Sequence, residues 1–367
     1  MSQQVTLNET HRIMTICNAC RYCEGFCAVW PAMELHRGFK DSDLKYLANL
    51  CHNCRGCYYA CQYAPPHEFN LNAPQTLAKL RKETYEEFAW PKPLAKLFTN
   101  NGLHVFWIGL LSIIVFMCGS MAAYGVQNFF SAHIGAESFY KIVPYWLMLV
   151  LFTLIMVFSI FTLVHSIRAM WKITESNKVS YELCDYIQAA KDAATLRYLD
   201  GGGDGCNYPD NKFCFSRKQL HHLTFYGFLL CLLSTSIAFL YDHGMGWPAP
   251  YSLFSFPVIF GTLGGIGLCA GTGGLVWLKC VMDRRPHDEG STGMDISFTV
   301  LLFLISFSGL LLLMLRSTSL MGLMLCIHIG LVLGFFIMLP YGKFVHVVYR
   351  YAALVRNAYE QRVGKAV

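Results

Sequence analysis

Charge is what this sequence has least of. Asp, Glu, Lys and Arg make up only 14% of its 367 residues, against 54% hydrophobic ones. That is too little polar side chain to clothe a soluble globular protein of this length. Six long runs, at 104–126, 144–165, 219–240, 257–279, 296–315 and 320–339, hold no Asp, Glu or Arg, and their one Lys, Lys279, is terminal. At about 1.5 Å of helical rise per residue each is long enough to cross a hydrocarbon core. Read instead as buried helices of a soluble protein, six uncharged runs would leave almost no sequence for the surface. A mainly α fold with a six-helix transmembrane bundle is the expectation.

A secretory signal is also missing. Residues 1–10 are polar, without the basic stretch and short apolar segment of an export signal, so the N-terminal region is expected in the cytosol. A reducing compartment disfavours structural disulfides and turns a dense cysteine pattern toward metal or redox chemistry. No acid–base constellation for substrate chemistry is visible, as expected if oxidation of a substrate takes place on a partner.

The net charge of +6 does not imply nucleic acid, because Lys and Arg gather beside the ends of the apolar runs. The 168–218 connection carries Arg168, Lys172, Lys178, Lys191, Arg197, Lys212, Arg217 and Lys218. Lys279, Arg284 and Arg285 follow the fourth run, and Lys343, Arg350, Arg356, Arg362 and Lys365 follow the sixth. The connections after runs one and five hold one basic residue each, Lys141 and Arg316, and that after run three holds none. Basic loops stay cytoplasmic. The expected topology therefore has both termini inside the cytoplasmic membrane, a domain at 1–90 ending at the turn Trp90-Pro91-Lys92-Pro93, a membrane domain at 91–350 and a tail at 351–367.

Sixteen cysteines are present, and eight of them fall between Cys17 and Cys61. They form Cys17-x2-Cys20-x2-Cys23-x3-Cys27, repeated as Cys51-x2-Cys54-x2-Cys57-x3-Cys61. Three thiolates at steps of three follow one cubane, while the fourth ligates the neighbouring cluster. Cys17, Cys20, Cys23 and Cys61 are thus expected to hold one [4Fe–4S] cluster, and Cys51, Cys54, Cys57 and Cys27 a second. The usual proline after the fourth Cys is replaced by Ala28 and Gln62, which alters the turn and not the ligand set. Structural zinc uses separated pairs and has no use for triplets.

Histidines supply the next candidates. His104, His165, His221, His222 and His346 all lie near the cytoplasmic ends of the runs, where two at matching depth would serve a bis-His b-type haem. The expected inner pair is His165 with His221 or His222. His104 and His346 are further haem or quinone candidates, and so is His328, roughly 12 Å inside run six by helical rise. The plain alternative is that interfacial histidines cap helices or meet lipid head groups. Seven glycines of run four, from Gly261 to Gly274, imply close helix packing or room for a porphyrin edge or quinone. Gly201-Gly202-Gly203-Asp204-Gly205 follows a helical stretch without a preceding strand, so a helix end suits it better than a nucleotide loop. Cys206 and Cys214 with His221 match no standard metal spacing.

With these residues in view, the chain resembles the tricarballylate-utilisation protein B group, also called citrate-utilisation protein B. The resemblance runs through the doubled Cys motif, the 201–209 loop, the Phe215-Ser216 to His221-His222 entry and Gly261-Thr262-Leu263-Gly264-Gly265-Ile266-Gly267. It implies two clusters on the eight cysteines and a b-type haem. It also implies a soluble FAD-dependent tricarballylate dehydrogenase as electron donor and membrane quinone as acceptor. Another organic-acid dehydrogenase is an alternative donor. A transporter or sensor with a redox-reporting domain is the alternative of another class, and it would need charged residues within the spans, which are missing.

Overall fold

The computed structural model describes residues 2–174 and 180–364; Lys178 and Lys365, counted in the topology reading, lie outside them. The cysteine-rich region forms α1 (Ser2–Cys20), α2 (Val29–Glu34), α3 (Asp41–Leu50), α4 (Gly56–Tyr59) and α5 (Ala73–Phe88). Local chemistry sets the boundaries. Asn72 caps α5 by accepting from the Gln75 N–H at 3.3 Å, with Pro74 in the first turn, where its missing N–H costs nothing. Asp43 reaches back to the Lys40 N–H at 3.1 Å to open α3.

Next come α6 (Asn101–Tyr124), α7 (Val126–Phe129), α8 (Tyr145–Thr174) and α9 (Leu183–Ala194). A two-stranded hairpin of β1 (Cys206–Asn207) and β2 (Phe213–Cys214) leads into α10 (Ser216–Met245). Helices α11 (Phe256–Val281), α12 (Thr292–Leu315), α13 (Met321–Met338) and α14 (Val345–Gly364) complete the chain. Six helices are long and apolar enough to cross a membrane: α6, α8, α10, α11, α12 and α13. Their outward faces carry bare apolar side chains such as Leu154, Val157 and Leu232, which suit lipid and not water.

Glycines let the bundle close. A Cβ on Gly264 would lie 2.8 Å from the Gly227 oxygen, and one on Gly271 would lie 2.7 Å from the Thr224 nitrogen, so α11 rests directly on the α10 backbone. Gly330 and Gly334 do the same for α13 against Ile113 and Gly109 of α6. The glycines of run four thus serve helix packing.

Most of the expected tail belongs to helix α14, which docks on the cysteine domain. Ala353, Leu354 and Val355 of α14 are buried in one core with Leu47 of α3, Leu77 of α5 and Ala189 of α9. Burying Leu354 and Val355 contributes roughly 1.5–3 kcal/mol each. Arg356 adds an ion pair to Asp43 at 3.0 Å, and Arg362 pairs with Asp185 at 2.9 Å. The cysteine domain, the 180–214 segment and the C-terminal helix therefore form one body at one end of the bundle.

Candidate metal centre

Helix α1 presents Cys17 and Cys20 on its last turn. The chain then turns left-handed at Arg21, with φ 56°, and runs past Cys23 to Cys27. The second repeat does the same in another frame. Cys51 follows α3, Arg55 takes φ 69° directly after Cys54, α4 carries Cys57, and Cys61 follows it. Arg21 and Arg55 hold the same place in their repeats, and both adopt a conformation uncommon for a residue with a Cβ.

Folding crosses the repeats. Cys17 is surrounded by Cys20, Cys23 and Cys61, while Cys27 lies against Cys54, Cys51 and Cys57. A cavity of about 200 Å³ is lined by Cys17, Cys20, Cys23, Cys57 and Cys61, with Trp30 and Leu71 as apolar walls. Among the described residues no three His, Cys, Asp or Glu side chains meet at one ion's coordination distance. A cubane does not require that, because each thiolate takes a different iron.

The donor set suits such a group. Burial, then repulsion among neighbouring thiolates, pushes the Cys17 and Cys23 thiols up to about 12; ionised sulfurs persist here only if bound cations offset them. Main-chain N–H groups already face the sulfurs. The Asn53 N–H lies 3.4 Å from Cys51 Sγ, Gly56 donates to Cys54, and Tyr63 and Ala64 donate to Cys61.

The two groups differ in exposure. Cys20 reaches solvent, whereas Cys51 and Cys54 are buried. The β1–β2 hairpin covers the inner group, with the Asn207 N–H donating to the Cys54 oxygen at 3.1 Å. Gly202 is required in the loop before it, because its φ is 91° and a Cβ there would sit 3.0 Å from the Gly25 oxygen.

Behind the inner group lies a cavity of about 160 Å³, between the cysteine domain and the ends of α10, α11, α12 and α14. Arg81 and Arg350 both donate to the Cys51 oxygen, at 2.6 and 2.8 Å. Arg217 donates to the Asn53 and His52 oxygens at 2.5 and 3.1 Å. Asp295 sits between Lys279 at 2.8 Å and Lys343 at 2.6 Å. His221 and His346 line the same space with ring centroids 6.5 Å apart. Burial beside Arg350 and Lys343 pushes the His346 imidazole well below its usual range, so it is neutral there.

Residues 103–367 match the family described as Citrate utilization protein B, and residues 10–87 match its Fer4-like domain. The chain belongs to the citrate utilization protein B family. It is 44% identical over 358 residues to Citrate utilization protein B of Escherichia coli, covering 97% of this chain and 93% of that one. No solved structure is significantly similar. This chain thus combines a Fer4-like domain, which carries the two cysteine repeats, with six helices long and apolar enough for a multi-pass membrane protein.

In this family member the histidines sort by direction. His165 points outward from α8 and packs on Trp90 and Phe161, at 5.2 and 6.5 Å, while Thr162 and Ser166 face inward. The expected pairing of His165 with His221 or His222 is therefore not formed. The cause is helical phase, which puts His165 at the right depth on the wrong face. His222 lies beside Tyr226, and His104 is tied to the Leu97 oxygen at 3.2 Å. His328 spends its Nδ1 on the Ile305 oxygen and Ser308 Oγ, both at 3.1 Å, and so joins α13 to α12. Cys206 faces Cys214 across the hairpin, whereas His221 turns to His346.

Arg217, Lys279, Lys343 and Arg350 read in the sequence as topology markers only, and Arg81 of α5 joins them in three dimensions. The fold turns all five into the cavity. The adjacency of Arg217 to the His221-His222 pair, one helical turn on, is the one signal that pointed this way.

Proposed function

We propose that this chain is an electron-transfer protein of the cytoplasmic membrane, with both termini inside, that reoxidises a soluble FAD-dependent dehydrogenase and feeds membrane quinone. The donor's substrate class is a tricarboxylate such as tricarballylate. The E. coli relative's name, which refers to citrate utilization, supports that class. Cys17, Cys20, Cys23 and Cys61 are the proposed ligands of one [4Fe–4S] cluster, and Cys51, Cys54, Cys57 and Cys27 of the other. Bound there, the clusters supply one-electron chemistry, with a b-type haem as a further one-electron centre.

One observation carries the reading. A four-cysteine group with one exposed thiol, Cys20, adjoins one whose Cys51 and Cys54 are buried, and Arg217, at the start of the membrane helix α10, donates to the His52 and Asn53 oxygens between those two cysteines. Around the outer group, Tyr22 beside Cys20, and Phe69 packed on the cavity-lining Tyr63, offer exposed rings for a soluble donor to cover. Around the inner group, the hairpin and α3 keep water away. A transporter would need a charged path through the spans. The carboxylate of the first turn of α12, Asp295, is instead held between two lysines at one end of the bundle.

The deciding assay is quinol formation by the purified chain with its reduced flavoprotein partner. Quinone-dependent reoxidation of the flavin supports the proposal, and its absence with both clusters intact refutes it.

A further inference from the structure

The cavity beneath the inner cysteine group is built for an anion. Arg55, Arg81, Arg217 and Arg350 enter it beside one carboxylate, Asp295, which Lys279 and Lys343 already hold. The four guanidinium groups donate to main-chain oxygens, those of Asp283, Cys51, Asn53 and His52. Among the described residues none of the four is ion-paired to a carboxylate, and the Arg55 and Arg350 Nε atoms are buried without a partner. Cations held out of water need counter-charge, and the inner cluster, with a net charge of about −2 on its four thiolates, answers only part of the four, so the ligand that fits is itself anionic.

The other end of the same cavity is different. Thr272, Leu275, Phe298 and Leu302 line it on the membrane side, so the ligand also has an apolar body. Between the two ends stand the imidazoles of His221 and His346, their planes at 76°. A metal–imidazole bond of about 2.0 Å, with the ring centre roughly 1.1 Å beyond its nitrogen, puts two imidazoles across one iron at about 6.2 Å between centroids. The observed 6.5 Å matches that spacing. His346 Nδ1 lies 2.5 Å from the Lys343 oxygen, the carbonyl contact that fixes a metal-binding imidazole with its other nitrogen free. His221 Nδ1 is buried with no partner on another residue.

We infer that His221 and His346 are the axial pair of a b-type haem whose two carboxylates face the arginines beside Cys51 and whose apolar edge faces Leu302. The inference rests on the electron-transfer reading and gives the haem its place in the chain. A neutral quinone would add nothing to the counter-charge that the inner cluster supplies to the four cations. A simple edge-to-face ring contact would explain the histidines but not the charge.

The test uses the full chain purified anaerobically in detergent, with extracted haem, the reduced-minus-oxidised visible spectrum and cluster signals measured together. One low-spin b-type haem per chain is expected. His221→Ala and His346→Ala each abolish the low-spin band, while His165→Ala, His222→Ala and His328→Ala keep it. A chain that carries both clusters but no haem overturns the inference, and so does a band that survives His221→Ala or His346→Ala. If either alanine variant also loses its clusters, His346→Met decides, because Met keeps an iron ligand of similar size. A displaced band and a shifted midpoint potential then support the pair, and an unchanged band overturns it. Quinol formation by haem-free protein would sink this inference alone; haem without quinol formation would sink the electron-transfer proposal alone.

Discussion

Arg350, from the last helix, donates to the main-chain oxygen of Cys51 over 2.8 Å. That bond ties the C-terminal helix to the buried cysteine group, across nearly the whole length of the chain. A guanidinium so close to a cluster ligand favours the reduced state of the cluster, which carries one more negative charge. Arg350→Gln is expected to lower the midpoint potential of the inner cluster by about 60 mV, the equivalent of a tenfold change in a one-electron equilibrium. Arg350→Lys should recover part of the shift. A redox titration followed by electron paramagnetic resonance reads both values, and an unmoved midpoint would remove Arg350 from the tuning of the site.

The crossing of the repeats has its own consequence. Cys61→Ser is expected to remove the cluster built on Cys17, Cys20 and Cys23, and Cys27→Ser the one built on Cys51, Cys54 and Cys57. Iron should fall from about eight to about four per chain in each case. If Cys61→Ser silences the inner signal instead, each repeat holds its own cluster.

Exposure separates the two groups. Cys20 is open to solvent, while Cys51 and Cys54 lie under the hairpin and α3. Brief exposure to air or ferricyanide is expected to bleach the outer cluster first, with the inner signal outlasting it several-fold. Equal rates of loss would show that the hairpin gives no protection.

The α10–α11 contact leaves no room for a side chain. Gly264→Ala puts a methyl group 2.8 Å from the Gly227 oxygen, whereas Gly119→Ala meets nothing within 4 Å. Overpacking of this kind costs about 1–3 kcal/mol. The melting temperature in detergent should drop for Gly264→Ala and hold for Gly119→Ala.

Topology can be read with thiol labels. Ile134 is 75% exposed in the connection between α6 and α8, and Leu183 is 74% exposed at the start of α9, on the side of the cysteine domain. In intact spheroplasts an impermeant maleimide should label Ile134→Cys, and should reach Leu183→Cys above the background of the native cysteines only after permeabilisation. The opposite pattern would place the cysteine domain outside.

Much of the architecture was legible because its signals are local. An uncharged run of twenty residues must satisfy its own backbone in lipid, so its length alone announces a membrane helix. The doubled cysteine motif is legible for the same reason, and its spacing predicts that each fourth thiolate serves the other repeat's cluster. What the tail packs against was not legible in the same way: only contact with α3 and α9 shows that Leu354, Val355 and Arg356 are an interior face.

Sequence by itself determined the six apolar helices, the doubled cysteine repeat and the depth of each histidine along its helix, because composition and spacing along one chain settle those. Which way a helix faces was decided only in three dimensions. His165 and His221 lie near the same end of the bundle, yet His165 turns out beside Trp90 and His221 turns in toward His346. Rotation about a helix axis is set by the neighbours that pack against it, here the glycine contacts of α11 on α10 and the docking of α14 on the cysteine domain. The same packing gathered Arg81, Arg217 and Arg350, which are far apart in sequence, around one carbonyl-lined cavity.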